Sequence, residues 1–456
     1  MNAPLVNKPA QRAARLAVRK PAATKPAKTG ASALPKASVP PFNAARYINR
    51  QILNAERNLS ALENFKPESY GNDPQAPSVA HLRAVNALVG EARTRLRQRL
   101  GGLEAAGKRA ATSQAGPAFE RFLNAHDAVV AQIKELESLR AFYGGIFDQR
   151  RGEIGHSLLG LDRIARDCYQ AIWLNIGRPR SVPTPVPFCY VQDGRGPATY
   201  RRGVKMSVLG KRANPFPLVK LPQHRLINPW TLGAIPHEVA HNLQNDLGLW
   251  TIMPGHIRKT MRGVVPDSAA QVWARWHKEG YADLCGVLLT GPAYVESLID
   301  IVGKSPQRAT SYSPTGVHPT PIVRVPMNCE LLRRMGFAAE AEQFSRTWAQ
   351  LYPDQPHHDL PDAFKKTLKR GIAAMVEAIC YSKMPHYGGK SLAGTTSFSP
   401  QDQALVAEAA GRLIEGTNTG ILPERFLIAA SRQAIARRGA STSAIARNFF
   451  KSLGRG

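Results

Sequence analysis

Two histidines four residues apart, with a glutamate directly after the first, form the segment of this sequence best suited to chemistry. The segment reads IPHEVAHNLQNDLG and contains His237, Glu238 and His241. On an α-helix, residues four apart project from the same face, so both imidazoles would reach one metal ion. Neutral imidazole is a good ligand for Zn²⁺, and the adjacent glutamate would take a proton from the activated water. The spacing therefore predicts a helical zinc site with Glu238 as the general base.

A catalytic zinc ion of this type needs a third protein ligand, and a second segment supplies a candidate. WARWHKEGYADLCGVLL places Glu279 and Asp283 four residues apart, again on one helical face. We predict that Glu279 completes the metal site and that Asp283 accepts a hydrogen bond from the outer ring nitrogen of a ligand histidine. An HExxH motif arises by chance in on the order of one per hundred such chains. The second segment is therefore what favours a metal site over ordinary surface or core histidines.

These two motifs resemble those of the gluzincin metallopeptidases, in which HExxH is followed by a glutamate and, four residues later, by an aspartate. A third motif, in GVHPTPIVRVPMNCELLRRMG, narrows the resemblance, because His318 precedes a proline and is followed six residues later by Arg324. This HPxxxxR arrangement is similar to that of the HtpX-like and CAAX-prenyl-protease-like peptidases. The resemblance covers residues 232–335. It implies that His318 and Arg324 line the cleft and help to hold the substrate and the oxyanion of the tetrahedral intermediate.

The helix that carries His237 has sequence signals at both ends. Asn228, followed by a proline, could cap and start it, while Pro236 would kink it or mark a later start. Gly248 is expected to end it. Tyr281 and Tyr312 could donate a hydrogen bond to an oxyanion, but their spacing does not single them out.

The remaining sequence predicts a mostly α-helical protein of the α+β class, divided into four regions. They are a disordered basic tail at 1–42, a helical region at 43–177, a zincin-like core with a small β-sheet at 178–350, and a C-terminal helical region at 351–456 that packs on the core. Apolar residues recur at three- and four-residue steps in the helical regions. By contrast, FCYVQ, GVKMSVLG and PLVKLP are short runs bounded by glycine and proline, which is typical of strands. An edge strand formed by GVKMSVLG or PLVKLP beside the cleft would pair with an extended peptide, main chain to main chain.

The charge balance adds a hypothesis from a different class. The formal net charge is +28, and the first 42 residues contain no acidic residue. Such a surface attracts nucleic acid or other polyanions, so the alternative is a basic, nucleic-acid-associated or delivered (effector-like) protein whose zincin unit is secondary or inactive. Arg93, Arg95, Arg97 and Arg99 could form a stripe for nucleic acid. Because alternate residues on a helix do not share a face, a solvated surface is the favoured interpretation of these arginines.

Cysteine usage and hydropathy predict the compartment. Five widely spaced cysteines without a CxxC pair argue against a disulfide framework or a cysteine zinc site, and favour a reducing compartment. No stretch approaches the roughly 18–20 consecutive apolar residues of a membrane-spanning helix. We therefore expect a soluble, cytoplasmic zinc peptidase that acts on protein or peptide substrates. In one alternative, the basic tail is a signal that delivers the protein elsewhere. Hydrolysis of a bond other than a peptide stays open, since HExxH zinc sites are not restricted to peptides.

Overall fold

The computed structural model describes residues 43–113, 116–177, 182–194, 196–353 and 359–454. The structure is 70% helical, with a mixed three-stranded sheet and a separate two-stranded sheet. This confirms the predicted mostly helical α+β class. The predicted basic tail at 1–42 lies outside the described residues, so the polyanion-binding alternative that depends on it stays a prediction.

Helices account for most of the described chain. The α-helices are α1 (Ala44–Ala61), α2 (Val79–Ser113), α3 (Gly116–Asp148), α4 (Ile154–Trp173), α5 (Ala234–Asp246), α6 (Leu249–Met261), α7 (Asp267–Arg275), α8 (His277–Thr290), α9 (Pro292–Val302), α10 (Pro306–Thr310), α11 (Pro321–Arg334), α12 (Ala338–Leu351), α13 (Asp362–Val376), α14 (Leu392–Thr395), α15 (Pro400–Glu415), α16 (Phe426–Ala436) and α17 (Thr442–Gly454). Shorter 3₁₀ turns cover Pro67–Ser69, Ser207–Leu209, Gln223–Leu226, Pro229–Thr231 and Pro385–Tyr387, and a π turn covers Glu377–Tyr381.

The strands lie between α4 and α5. They are β1 (Phe188–Val191), β2 (Ala198–Tyr200), β3 (Lys205–Met206), β4 (Arg212–Ala213) and β5 (Leu218–Leu221). The larger sheet has the order β1-β5-β2, with β5 parallel to β1 and antiparallel to β2, while β3 and β4 pair only with each other.

This topology corrects the prediction of which strand forms an open edge. PLVKLP contains β5, which is paired on both sides and has three buried residues out of four, the pattern of a central strand. GVKMSVLG contains β3, which belongs to the separate two-stranded sheet. In the described part of the larger sheet, the outer strands β1 and β2 each have one unpaired side, and β2 is the one that lines the cleft. The sequence does not single out β2 as that strand.

The larger sheet separates two hydrophobic cores. Along β1, Phe188 and Tyr190 pack in a core with α1, α2 and α3, whereas Cys189 and Val191 pack in the larger core with α4 and the helices after the sheet. Successive side chains of a strand point to opposite faces, so one four-residue strand contributes to both cores. The segment predicted as one helical region at 43–177 therefore contributes α1–α3 to one core and α4 to the other.

The C-terminal helices pack on the larger core and are joined to it by ion pairs whose arginines are largely buried. Arg432 of α16 lies 2.7 Å from Glu296 and 2.6 Å from Asp300, both on α9. Arg425 lies 2.8 Å from Asp167 of α4. The two pairs of Arg432 hold α9, which borders the candidate site, against α16.

Three of the four arginines considered as a nucleic-acid stripe contact other groups of the protein. Arg93 donates to the carbonyl of Leu59 at 3.0 Å, and Arg99 donates to the carbonyl of Ala128 at 3.0 Å. Arg95 pairs with Glu91 one turn earlier on the same helix. These contacts agree with the interpretation of the four arginines as part of the solvated surface of α2.

All five cysteines are buried, and none of them forms a disulfide. Among the described residues, none of the helices combines the length and the apolarity needed to cross a lipid bilayer. The predicted cytoplasmic location stays a prediction.

His81 connects α2 to the larger sheet. Its ring centroid lies 4.9 Å from that of Phe188 and 4.7 Å from that of Phe216. Its Nδ1 lies 2.7 Å from the hydroxyl of Ser78, and its Nε2 lies 3.0 Å from the carbonyl of Val186. Burial lowers the pKa of His81, so the folded protein favours the neutral ring.

We predict that His81 makes the stability depend on pH. Below about pH 6.5 the unfolded chain binds a proton that the folded chain resists, so the free energy of unfolding should fall by up to about 1.4 kcal/mol per pH unit. Urea unfolding should show that His81→Gln is less stable than wild type by roughly 1–3 kcal/mol near neutral pH. The variant should also lose less stability on acidification. An identical loss in both proteins would contradict this prediction.

Candidate metal centre

The helix α5 starts later than the Asn228 signal. Asn228 precedes the 3₁₀ turn Pro229–Thr231 and makes no capping hydrogen bond, whereas α5 begins at Ala234. Pro236 therefore falls in the first turn, where its missing N–H has no intrahelical partner to lose. Gly248 follows α5 with a φ of 74°, a left-handed conformation that ends the helix. The predicted later start and the predicted end are both confirmed.

Helices α5 and α8 bring the three predicted ligands together. Nε2 of His237 lies 3.4 Å from Oε2 of Glu279, and Nε2 of His241 lies 3.5 Å from Oε1 of the same carboxylate. One donor atom from each residue lies within 4.8 Å of the other two. Ligand atoms held tetrahedrally at about 2.0–2.1 Å from a metal are about 3.3–3.4 Å apart. The donor spacing therefore fits a metal ion.

Asp283 lies behind these donors and is fully buried. Arg324 donates to it twice, from Nε at 2.7 Å and from Nη2 at 2.6 Å, and the hydroxyl of Tyr294 donates at 2.8 Å. Nδ1 of His237 lies 3.1 Å from the same carboxylate and 3.0 Å from the Tyr294 hydroxyl. With Nδ1 held on this side, the Nε2 of His237 is turned towards Glu279. Asp283 therefore lies where it orients the His237 ring.

The two imidazoles have different pKa values because their partners differ. For His237, burial opposes protonation, but the hydrogen bonds with Asp283 and Glu279 outweigh it and raise the pKa to about 10. For His241, burial and the nearby charge of His237 lower the pKa to about 3. Burial would raise the pKa of Glu279, but its hydrogen bond with His237 holds that pKa well below its usual range. A metal cation between these donors would take the place of the His237 proton.

Glu238 is buried and lines the same cleft as the metal donors. Burial raises the pKa of its carboxyl to about 7, although the charge on His237 opposes the shift. No described residue donates a hydrogen bond to this carboxylate, while the main-chain carbonyl of Glu238 accepts one from Asn242 at 2.9 Å. A carboxyl group with a pKa near neutrality can both accept and release a proton. The position of Glu238 therefore suits proton transfer.

The two residues of the HPxxxxR motif take different positions. Arg324 of α11 is nearly buried, and its Nη2 also lies 3.9 Å from Oε2 of Glu279. Arg324 lines the cleft, as the resemblance implied. Asp283 occupies two of its nitrogens, and contact of Arg324 with a substrate stays a prediction. His318 lies in the loop before α11 with its side chain 71% exposed and its Nε2 3.5 Å from Oε1 of Glu279. His318 can therefore meet a molecule entering the cleft.

Tyr294 is a site residue that the sequence analysis missed. Its place in the first turn of α9 is a weak signal, because no spacing rule connects that turn with the metal ligands. The tyrosines considered from the sequence lie elsewhere. Tyr281 is buried outside the cleft, and the hydroxyl of Tyr312 accepts a hydrogen bond from Arg275 at 2.9 Å.

A cleft of about 460 Å³ contains the metal donors, and β2 forms one of its walls. Pro197, Ala198 and Thr199 line this wall. The amide of Asn242 on α5 donates to the Thr199 hydroxyl at 2.6 Å, which fixes β2 beside the ligand helix. This hydrogen bond therefore fixes the wall relative to the helix that carries His237 and His241.

The two ends of the cleft differ in chemistry. Near the start of α5 the lining is mainly apolar, with Ala234, Leu298 and Ile301. At the other end, beyond His241, the lining contains an aromatic ring and two cations, which come from elements other than α5. These residues are Trp250, Arg201 and Lys278.

Comparison of the chain with protein-family models, with curated proteins and with solved structures finds no match in any of the three.

We predict that the contacts behind the donors control metal affinity. Asp283→Asn should weaken Zn²⁺ binding by roughly 10- to 100-fold, because a neutral amide holds the His237 ring less well. Arg324→Lys should weaken binding in the same direction but less, since it keeps the charge and loses the paired hydrogen bonds. Competition with a chelator measures both affinities.

Arg333→Lys, at an exposed position on the same helix, is the matched control and should bind Zn²⁺ like wild type. An Asp283→Asn protein that is folded and keeps the wild-type affinity would contradict the role assigned to Asp283.

Proposed function

We propose that this protein is a zinc-dependent peptidase that hydrolyses peptide bonds with an activated water and Glu238 as the general base. One observation carries the proposal: donor atoms of His237, His241 and Glu279 lie within 4.8 Å of one another, with Glu238 in the same cleft. Two imidazoles and one carboxylate, with a fourth position left for water, are a typical ligand set for catalytic zinc. The likeness of the three sequence motifs to those of gluzincins supports the same conclusion.

Each named residue has a separate part in the proposed reaction. When bound, zinc supplies a Lewis acid and lowers the pKa of the attacking water. The carboxylate of Glu238 accepts a proton from that water and passes it to the amine that leaves. Asp283 keeps the His237 ring in its orientation, and His318 at the mouth of the cleft donates to the oxyanion as it forms.

The strand β2 supports a peptide as the substrate. It pairs with β5 on one side only and lies along the cleft beside α5. The unpaired edge of a strand offers main-chain donors and acceptors at the repeat of an extended peptide. A substrate bound there would cross the cleft as an added strand, which favours peptide hydrolysis over hydrolysis of other bonds.

We predict that metal binding and proton transfer can be separated by substitution. Wild-type protein should contain about one zinc per chain by elemental analysis and should cleave an unfolded protein. His237→Ala and Glu279→Ala should lose most of the zinc. Glu238→Gln should keep the zinc and lose activity by about 10²- to 10⁴-fold, because no general base remains.

Glu342→Gln, an exposed substitution on α12, is the control and should match wild type in both measurements. Wild-type activity in Glu238→Gln would rule out the proposed role of Glu238, and a wild-type protein that takes up no zinc would rule out the peptidase itself.

We also predict that cleavage depends on main-chain pairing with β2. A peptide substrate with one N-methylated amide beside the scissile bond should lose about tenfold or more in kcat/KM, because one hydrogen bond to the strand is removed and the methyl group blocks close approach. The same peptide methylated at its distant terminus is the control. Equal cleavage of the two peptides, measured by mass spectrometry, would show that β2 does not bind substrate.

A further inference from the structure

Two cations share one aromatic ring at the end of the cleft past His241. The guanidinium carbon of Arg201 lies 3.5 Å from the centroid of the Trp250 ring, and Nζ of Lys278 lies 4.4 Å from it. Both cations and the indole line the cleft and are half-buried. Attraction to the ring partly stabilises each cation, but it also places two like charges close together.

Within the described part of the chain, no carboxylate lies within ion-pair distance of Arg201 or Lys278. Arg201 donates to the side-chain oxygen of Asn245 at 2.7 Å, which is a neutral partner. Asp246, the residue after Asn245, pairs instead with Arg202 at 3.6 Å and accepts a hydrogen bond from the Tyr169 hydroxyl at 3.3 Å. Among the described residues, no acidic side chain forms an ion pair with Lys278. This end of the cleft therefore has positive charge available for a ligand.

The cation pair lies close to the metal donors. The ring of Trp250 lies 6.3 Å from that of His241, one of the metal donors. An extended chain advances about 3.3 Å per residue, so this distance corresponds to about two residues of a peptide lying along β2. A substrate side chain next to the scissile bond, or one residue further, would meet these cations.

We propose that Arg201, Lys278 and Trp250 form a subsite for a carboxylate, so that the cleft selects peptides with Asp or Glu close to the cleaved bond. Charge-assisted hydrogen bonds from the two cations would hold the carboxylate, and it would relieve their mutual repulsion. The cleavage part of this inference rests on the proposed peptidase function, whereas the binding part does not. A peptide is favoured over a nucleic-acid phosphate because the cleft also offers the open edge of β2 and an apolar end at Leu298 and Ile301.

The test compares matched extended peptides that differ only by Glu or Gln at positions flanking the central bond. Fluorescence anisotropy measures their binding to zinc-loaded Glu238→Gln protein, in which turnover is blocked. We expect the Glu peptide to bind about tenfold more tightly than the Gln peptide. Adding Arg201→Gln or Lys278→Gln should remove most of this preference while the zinc content stays unchanged. Adding Lys366→Gln, an exposed substitution on α13, should leave the preference intact.

A charge reversal makes the test more specific. Lys278→Glu combined with Arg201→Gln should reverse the preference, so that a peptide with Lys at the selected position binds better than one with Glu. Equal binding of Glu and Gln peptides would overturn the proposal. Binding of an oligonucleotide that depends on Lys278, without any preference for the acidic peptide, would also overturn the proposal, because the ligand would then be a phosphate.

Cleavage by the protein with Glu238 intact separates this inference from the proposed function. A Glu preference in binding, lost in Lys278→Gln, without cleavage of any peptide would support the subsite and reject the peptidase. Zinc-dependent cleavage with equal kcat/KM for Glu and Gln peptides would support the peptidase and reject the subsite.

Discussion

The Asp283 carboxylate is completely shielded from solvent, and the arrangement of the site follows from the need to stabilise its charge. Burial alone would raise its pKa, but the two hydrogen bonds and the charge of Arg324 lower it to about 2, so the group stays ionised. A buried charge without a partner costs several kcal/mol, which makes these contacts obligatory. They join α8 to α5 through His237, to α9 through Tyr294 and to α11 through Arg324. Because Glu279 lies one turn before Asp283 on α8, the same interaction also sets the position of the third metal donor.

The rest of the fold holds this helix cluster beside an open strand. Alternate residues of β1 pack in two different cores, so the larger sheet is clamped between the N-terminal helices and the larger core. Asn242 then links α5 to β2 through the hydroxyl of Thr199. The C-terminal helix α16 restrains α9 through Arg432. The cleft is thus bounded by elements that are each fixed from outside, while its interior keeps an apolar end and a cationic end.

Much of this site could be predicted from the sequence, and the physical reason is local. Residues four apart on a helix share a face, and a metal ion requires that such faces meet, so the convergence of His237, His241 and Glu279 could be predicted without a structure. The pairing of Arg324 with Asp283 could not be predicted, since the motif gives the spacing of Arg324 but not the direction of its guanidinium. The wall formed by β2 and the site of Trp250 depend on strand order and on helix packing across long sequence distances. The sequence pattern favoured GVKMSVLG or PLVKLP as the edge strand, but the first contains β3 of the separate sheet and the second contains β5, the central strand of the larger sheet.

The measurement that tests the account most directly is X-ray absorption at the zinc edge on the purified, zinc-loaded protein. We expect one zinc site with only nitrogen and oxygen ligands at about 2.0–2.1 Å, with scattering from two imidazole rings. In Glu279→Ala, that ordered coordination should be lost. Sulfur ligands at about 2.3 Å, or a zinc environment unchanged by Glu279→Ala, would contradict the assignment of His237, His241 and Glu279 as the metal centre.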